Sequence, residues 1–121
     1  MGYKDGTSII KVNTESPEEV ANIIGPSSGD YYYHRDYKTY GDYLYIVNEM
    51  YGGDIGMQVV DLTPLPDLSP NQLDTYSGIS QSHNLWIDSN GLAFIEHING
   101  DNIHIVGSVI RTACQVEVDQ H

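Results

Sequence analysis

The chain has 121 residues and carries 17 acidic against 5 basic side chains, which gives a formal net charge of −12. Nucleic acid and anionic membrane surfaces would repel so acidic a protein, and neither is expected as a partner. No apolar run approaches the roughly 18 residues of a membrane span, and the N-terminal residues lack the apolar stretch of a signal peptide. The single cysteine, Cys114, excludes an intrachain disulfide framework.

The first quarter of the chain predicts short strands. Residues 7–13 read as one strand by alternation. Residues 20–24 fit either a strand or one to two helical turns beginning at Glu18, because Val20, Ile23 and Ile24 also have helical spacing. The strand is preferred, and Gly25-Pro26 ends it in either case.

A longer β-rich block follows, and its pattern then returns. Residues 34–40 and 43–49 predict the two arms of a hairpin around Gly41-Asp42, residues 57–63 a third strand, and residues 71–76 a weak outer strand after a proline-rich connector. The second series predicts strands at 82–88 and 92–98, a third starting at 102, and a fourth within ACQVEVDQ.

These two series form an internal repeat. His34 aligns with His83 at a spacing of 49, and Val59-Val60 aligns with Ile105-Val106 at 46 and with Ile9-Ile10 at 50. Four strands in such a period are typical of a propeller blade. We therefore expect an all-β fold of antiparallel four-stranded propeller-type blades in one domain over residues 1–121. Residues 1–30 would hold the outer strands of a split blade, 31–80 a full blade, and 81–121 a second blade with an atypical C-terminal part.

Two and a half blades make only a partial propeller, because rings close with 4–8 blades. The terminal blades would expose apolar faces, which predicts a homo-oligomer, a piece of a longer propeller, or a rearrangement into a small sandwich.

Several motifs carry a family resemblance: Arg35-Asp36 opening the inner strand, a tyrosine-rich strand ending in Glu49, the run MQVVDLT, and the SHN opening of the second series. In this order and spacing they resemble the LVIVD-repeat β-propellers of the choice-of-anchor B family of bacterial proteins. The resemblance implies an extracellular or cell-surface propeller whose biochemical role is largely uncharacterised. The sequence after Val106 departs from the family pattern.

Histidines and carboxylates are the candidate chemistry. In a propeller, the start of each inner strand and the loop after the second strand emerge on one face. This would gather the candidate metal ligands, which are His34, His83, His97, Glu49 and Glu96. Such a cluster suits a divalent transition metal or proton transfer. In the alternative, each histidine bonds the backbone of the neighbouring blade and fixes the blade spacing. His104, between two isoleucines, is expected to be solvated or bonded locally.

Two further patterns each have a functional and a structural interpretation. Turns rich in Asp and Asn, such as residues 88–91 and 99–102, suit calcium, although turn chemistry alone also explains them. Tyrosines suit a binding surface for carbohydrate or protein, or else packing between blades. The candidate interaction residues are Tyr31, Tyr32, Tyr33, Arg35 and Tyr51.

Motifs of nucleophilic, phosphate-binding or zinc-protease catalysis are absent from the sequence. The expected function is a non-catalytic extracellular scaffold or protein-interaction module of propeller type. The alternative is a metal-binding protein or metal-dependent enzyme that uses the histidine–carboxylate cluster.

Overall fold

A computed structural model of the chain describes residues 1–3, 5–13, 15–25, 34–49, 56–67, 70–79, 81–97, 103–107 and 118–120. Every regular element within these residues is a β-strand. The strands are Gly2–Tyr3 (β1), Gly6–Lys11 (β2), Glu18–Ile24 (β3), Arg35–Tyr40 (β4), Tyr43–Asn48 (β5), Met57–Asp61 (β6), Asn71–Tyr76 (β7), Ser82–Ile87 (β8), Ala93–His97 (β9), Ile103–Val106 (β10) and Val118–Gln120 (β11). The expected all-β class is confirmed, and residues 18–24 form a strand rather than a helix.

The strands form three antiparallel sheets, each joined in chain order. Sheet 1 contains β1, β2 and β3, sheet 2 contains β4 to β7, and sheet 3 contains β8 to β11. Glycines with positive φ lie in the first turn of the two larger sheets: Gly41 at 58° between β4 and β5, and Gly91 at 81° between β8 and β9. A residue with a Cβ would be strained at these angles, which explains the glycines there.

Sheet 1 repeats the outer half of sheet 2. The β2–β3 ladder shifts register between Ile9 and Ile10, and the β6–β7 ladder shifts between Val59 and Val60, 50 positions later. A β-bulge at the same place in both ladders identifies β2 and β3 as the counterparts of β6 and β7. Among the described strands, the two-residue β1 alone lies where sheet 2 has the six-residue β5.

Sheet 2 lies between the other two sheets and is buried on both faces. Tyr45 and Val47 point toward sheet 3 and join a core cluster with Leu85 and Ile95. Ile46 points the other way, into a cluster with Ile23 of sheet 1. Tyr45, Ile46 and Val47 are all 0% exposed. Both faces of β5 are therefore buried in the core.

Sheets 2 and 3 contact each other at a constant separation along the sequence. Three contacts between these sheets each join residues 49 positions apart: His34 with the carbonyl of His83, Asp36 with the N–H of Leu85, and Tyr40 with the carbonyl of Ser89. Contacts separated by one repeat mean that the second sheet lies on the first in nearly the same orientation. The described part of the chain contains no helix with the length and apolar character that a membrane span requires.

Candidate functional site

The predicted histidine–carboxylate residues meet at the edge where β4 and β8 begin and β5 ends. His34 directly precedes β4 and Glu49 directly follows β5, and the N–H of Glu49 donates to the carbonyl of His34 at 3.2 Å. His83 and Asn84 lie near the start of β8. The sequence therefore predicted correctly that His34, His83 and Glu49 lie together.

The two imidazoles stack on each other. Their ring centroids are 4.3 Å apart, with an angle of 13° between the planes. Nε2 of His34 lies 2.9 Å from the carbonyl oxygen of His83, and because a carbonyl can only accept, this nitrogen carries the proton. His34 thus bonds the backbone of the adjacent sheet, as the structural interpretation of these histidines expected.

His83 is held by a carboxylate. Its Nδ1 bonds to Oε1 of Glu49, which is mostly buried, while the His83 side chain is 47% exposed. The hydrogen bond to Glu49 raises the pKa of His83 above its usual value of 6.5, and the neighbouring Glu96 and Asp36 add smaller contributions in the same direction. Proton binding at His83 is therefore favoured by its surroundings.

The remaining acidic groups of this edge are also bonded within the protein. Asn84 donates from Nδ2 to Oε2 of Glu96 at 2.7 Å. Asp36 accepts the N–H of Leu85 at 2.8 Å through one oxygen and the N–H of Tyr37 at 2.9 Å through the other. These bonds occupy carboxylate oxygens that a metal would otherwise use.

The described side chains do not form a metal-binding geometry. Within the described residues no group of three or more His, Cys, Asp or Glu side chains is placed to hold a metal ion. The backbone of His97 pairs with Ser82, but its side chain lies outside the described residues. The acidic turn at 99–102 also lies outside them, whereas in the turn at 88–91 Asp88 accepts the N–H groups of Asn90 and Leu92. That bonding is ordinary turn chemistry.

The candidate interaction residues divide into two groups. Tyr31, Tyr32, Tyr33 and Tyr51 lie outside the described residues. Arg35 is only 6% exposed, so it does not lie on a binding surface as expected. A Cβ built on Gly25 would come within 3.0 Å of its guanidinium, which shows how closely the end of β3 packs over this side chain.

His104 also differs from both of its expected environments. It is 6% exposed rather than solvated, and its ring meets that of Tyr76 edge-on, with 3.4 Å between Nε2 and the hydroxyl oxygen. The partner is not local either, because Tyr76 lies 28 residues earlier, on β7 of the neighbouring sheet. Its neighbour Ile103 takes the exposed side of β10.

Sequence alignment misplaced one equivalence. Arg35 pairs with Asn48 in sheet 2, and Ser82 pairs with His97, the position 49 after Asn48, in sheet 3. Ser82 is thus the counterpart of Arg35, and the register shift between Ser82 and Leu85 places His83 and Asn84 in an irregular segment. The hydroxyl of Ser82 holds this segment, because its single proton is shared between the carbonyl of Glu96 at 2.6 Å and that of Asn84 at 3.0 Å.

The outer face of sheet 3 carries an apolar row. The sequence predicted an exposed apolar face on a terminal blade but not which residues form it. Trp86 pairs with Phe94, and Phe94 pairs with Ile105, so the three side chains lie side by side across three strands. Trp86 is 62% exposed and the adjacent Ile103 is 49% exposed. The alternation of residues along each strand could have identified this row, because Trp86 and Phe94 alternate with the buried Leu85 and Ile95.

Comparisons of the chain with protein-family models, with curated proteins and with solved structures found no match.

Proposed function

We propose that the chain is a non-catalytic, propeller-type scaffold of the LVIVD-repeat kind, which works outside the cell and associates through the outer face of sheet 3. The extracellular setting and the family are supported by the resemblance of the motifs at 35–36, 57–63 and 82–84. Blade-like stacking is supported by the contacts between residues 49 positions apart. The bonding within the polar edge supports a structural rather than a catalytic role.

The observation that carries this proposal is the outer apolar row of sheet 3. The ladder registers make Phe94 the counterpart of Tyr45 and Ile105 the counterpart of Val59, because Tyr45 pairs with Val59 as Phe94 pairs with Ile105. Tyr45 and Val59 are 0% exposed beneath sheet 3. The repeat thus has a face that the next sheet covers, and in sheet 3 the same face carries an exposed tryptophan.

Light scattering across a concentration series tests the association. We expect the wild-type chain to associate at micromolar concentrations and the Trp86→Lys variant to be monomeric. Lysine suits this position, because Lys38 holds the corresponding place in sheet 2, opposite Tyr45. Asn90→Lys, in an exposed turn of the same sheet, makes the same charge change away from the row. A wild-type monomer, or equal loss of association in both variants, would refute the proposed surface.

Metal binding is the second candidate, favoured by the meeting of His34, His83 and Glu49 at one edge. His83 uses Nδ1 for Glu49, so its Nε2 is the nitrogen that a divalent cation would take. Elemental analysis of untagged protein, compared with His83→Ala and with a His104→Ala control, tests this candidate. Stoichiometric metal lost only in His83→Ala would support it, and metal-free wild-type protein after incubation with zinc would exclude it.

A further inference from the structure

Sheet 1 has an open edge where sheet 2 has its inner strands. β1 pairs with Gly6 and Thr7, and Met1 exchanges backbone bonds with Ser8 at 2.6 and 2.8 Å. Beyond this point, within the described residues, no strand pairs with residues 9–11 on that side of β2.

The backbone at this edge is oriented for pairing. Ser8 directs both its N–H and its C=O toward Met1, so Ile10, two residues later, directs the same groups toward the same edge. In sheet 2 the counterpart of Ile10 is Val60, which pairs with Leu44 of β5. The edge therefore presents a donor and an acceptor at a position that the repeat elsewhere fills with a strand.

A groove of about 610 Å³ runs along this edge. One wall is formed by Ile9, Ile10 and Val12, and the facing wall of sheet 2 includes Tyr37, Thr39 and Leu44. The groove continues the interface of sheets 1 and 2, since Ile9, Tyr37 and Leu44 also belong to the apolar cluster between them. The groove lies where an inner strand pair of sheet 1 would lie, and its apolar walls suit the apolar side chains of such a pair.

Residues of sheet 2 beside the groove are more exposed than their counterparts in sheet 3. Tyr37 pairs with Ile46 as Leu85 pairs with Ile95, and Thr39 pairs with Leu44 as Ile87 pairs with Ala93. Leu85 is 2% exposed and Ile87 is half-buried beneath the inner strands of sheet 2, whereas Tyr37 is half-buried and Thr39 is exposed beside the groove. Ile46, which Ile23 of sheet 1 contacts, is 0% exposed. Among these compared positions, exposure is higher beside the groove than where the described strands of sheet 1 cover sheet 2.

We propose that this groove binds a β-hairpin with the inner-strand pattern of the repeat, supplied by a further repeat unit and not by a second copy of this chain, whose inner strands already belong to sheets 2 and 3. Its second strand pairs antiparallel with β2 beyond Ser8, and its alternate apolar side chains pack on Tyr37 and Leu44. This inference rests on the repeat architecture of the proposed function but concerns a surface other than the Trp86 row.

Binding of a hairpin peptide tests the inference. The probe is a labelled peptide of residues 34–49, which is the chain's own inner-strand pair, titrated into the full-length Trp86→Lys variant. This variant is used because it should not associate through sheet 3, so peptide binding can be measured separately from association of the chain. We expect saturable binding by fluorescence anisotropy and slower amide hydrogen exchange at residues 9–11. Absence of saturable binding up to about 1 mM would overturn the proposal.

Matched variants locate the binding site. The Leu44→Pro peptide lacks the N–H that would face β2, and Ile10→Pro in the chain removes the donor of the open edge without touching the β3 ladder. Each change is expected to weaken binding about tenfold, as for a lost backbone hydrogen bond with its desolvation cost. Thr39→Lys, at an exposed position, blocks the groove while leaving the fold intact. Binding that is indifferent to both chain variants would overturn the proposal.

Two other occupants would give distinct results. A second copy in the groove would protect residues 9–11 in peptide-free wild-type protein, increasingly with concentration. A small apolar ligand would be indicated by an anilinonaphthalene dye that binds and that the peptide does not displace. Either result would overturn the assignment of a hairpin.

Discussion

At the scale of single residues, the His83–Glu49 pair makes stability depend on pH. Glu49 raises the pKa of His83 in the folded chain above the usual 6.5. A histidine whose pKa is raised on folding contributes its full stabilisation below about 6.5 and loses it as pH rises through the folded value. The imidazole is largely exposed, and its effect on stability is accordingly small.

Substitution of Glu49 tests this pair. We expect Glu49→Gln to lower the pKa of His83, measured from the imidazole Cε1 proton by NMR, because the main cause of the shift is removed. Glu96→Gln, whose contribution is smaller, is expected to lower it less. Urea unfolding should then show a larger loss of stability for Glu49→Gln at pH 5.5 than at pH 8.5. An equal loss at both pH values would contradict this account.

The sequence predicted which of these residues lie close together, but it did not predict the burial of each side chain. His34 and His83 were expected together because both precede or open a strand at one repeat spacing, and they stack. Arg35 was named as a candidate interaction residue, yet it is buried and Gly25 packs closely against it. Such burial depends on the approach of a segment distant in sequence, which alternation along one strand does not reveal.

At the scale of strands, Asp36 links β4 to β8. One oxygen accepts the N–H of Leu85 and the other that of Tyr37, so the carboxylate connects two sheets. Leu85 is 2% exposed, and solvent cannot readily replace the lost partner.

Truncation of this carboxylate should therefore be costly. We expect Asp36→Ala to destabilise the protein by about 1–3 kcal/mol, measured by urea unfolding, because a buried N–H is left without its acceptor. Asp36→Asn retains an acceptor oxygen and should lose less. Lys38→Ala removes only the 3.5 Å ion pair with Asp36, in which both side chains are partly exposed, and should change stability by less than about 1 kcal/mol. A similar loss for Lys38→Ala and Asp36→Ala would show that the link to Leu85 is unimportant.

The sequence predicted the positions of the strands better than their register in the sheets. Residues 43–49 were predicted as a strand, and β5 covers Tyr43–Asn48. The irregularity between Ser82 and Leu85 has no comparable signal, because SHN carries no glycine and continues the polar start of the strand. Equivalences drawn from spacing alone were therefore shifted there, although contacts between the sheets still follow a spacing of 49.

At the scale of the whole molecule, charge opposes the proposed association. Each copy carries a net charge of −12, and two copies repel over a Debye length of about 30 Å at 0.01 M salt but only about 10 Å at 0.1 M. The contact itself is apolar around Trp86, so salt should act mainly on the repulsion.

Ionic strength provides the corresponding test. We expect the association measured by sedimentation velocity to strengthen severalfold between 10 and 300 mM sodium chloride, roughly as screening predicts. Trp86→Lys should remain monomeric throughout this range, and Asn90→Lys should follow the wild type. Association that weakens with added salt would indicate an interface built on ion pairs instead.

The constant separation of 49 between facing residues also limits how this chain can change in length. A whole added unit, joined between the end of β7 and the start of β8, would offer its predecessor and its successor the surfaces that sheets 2 and 3 already offer each other. An insertion of half a unit would set an inner strand against an outer one and lose the carboxylate-to-amide bond that Asp36 makes. The chain can therefore be lengthened only by whole four-stranded units if the contacts between neighbouring sheets are to be kept.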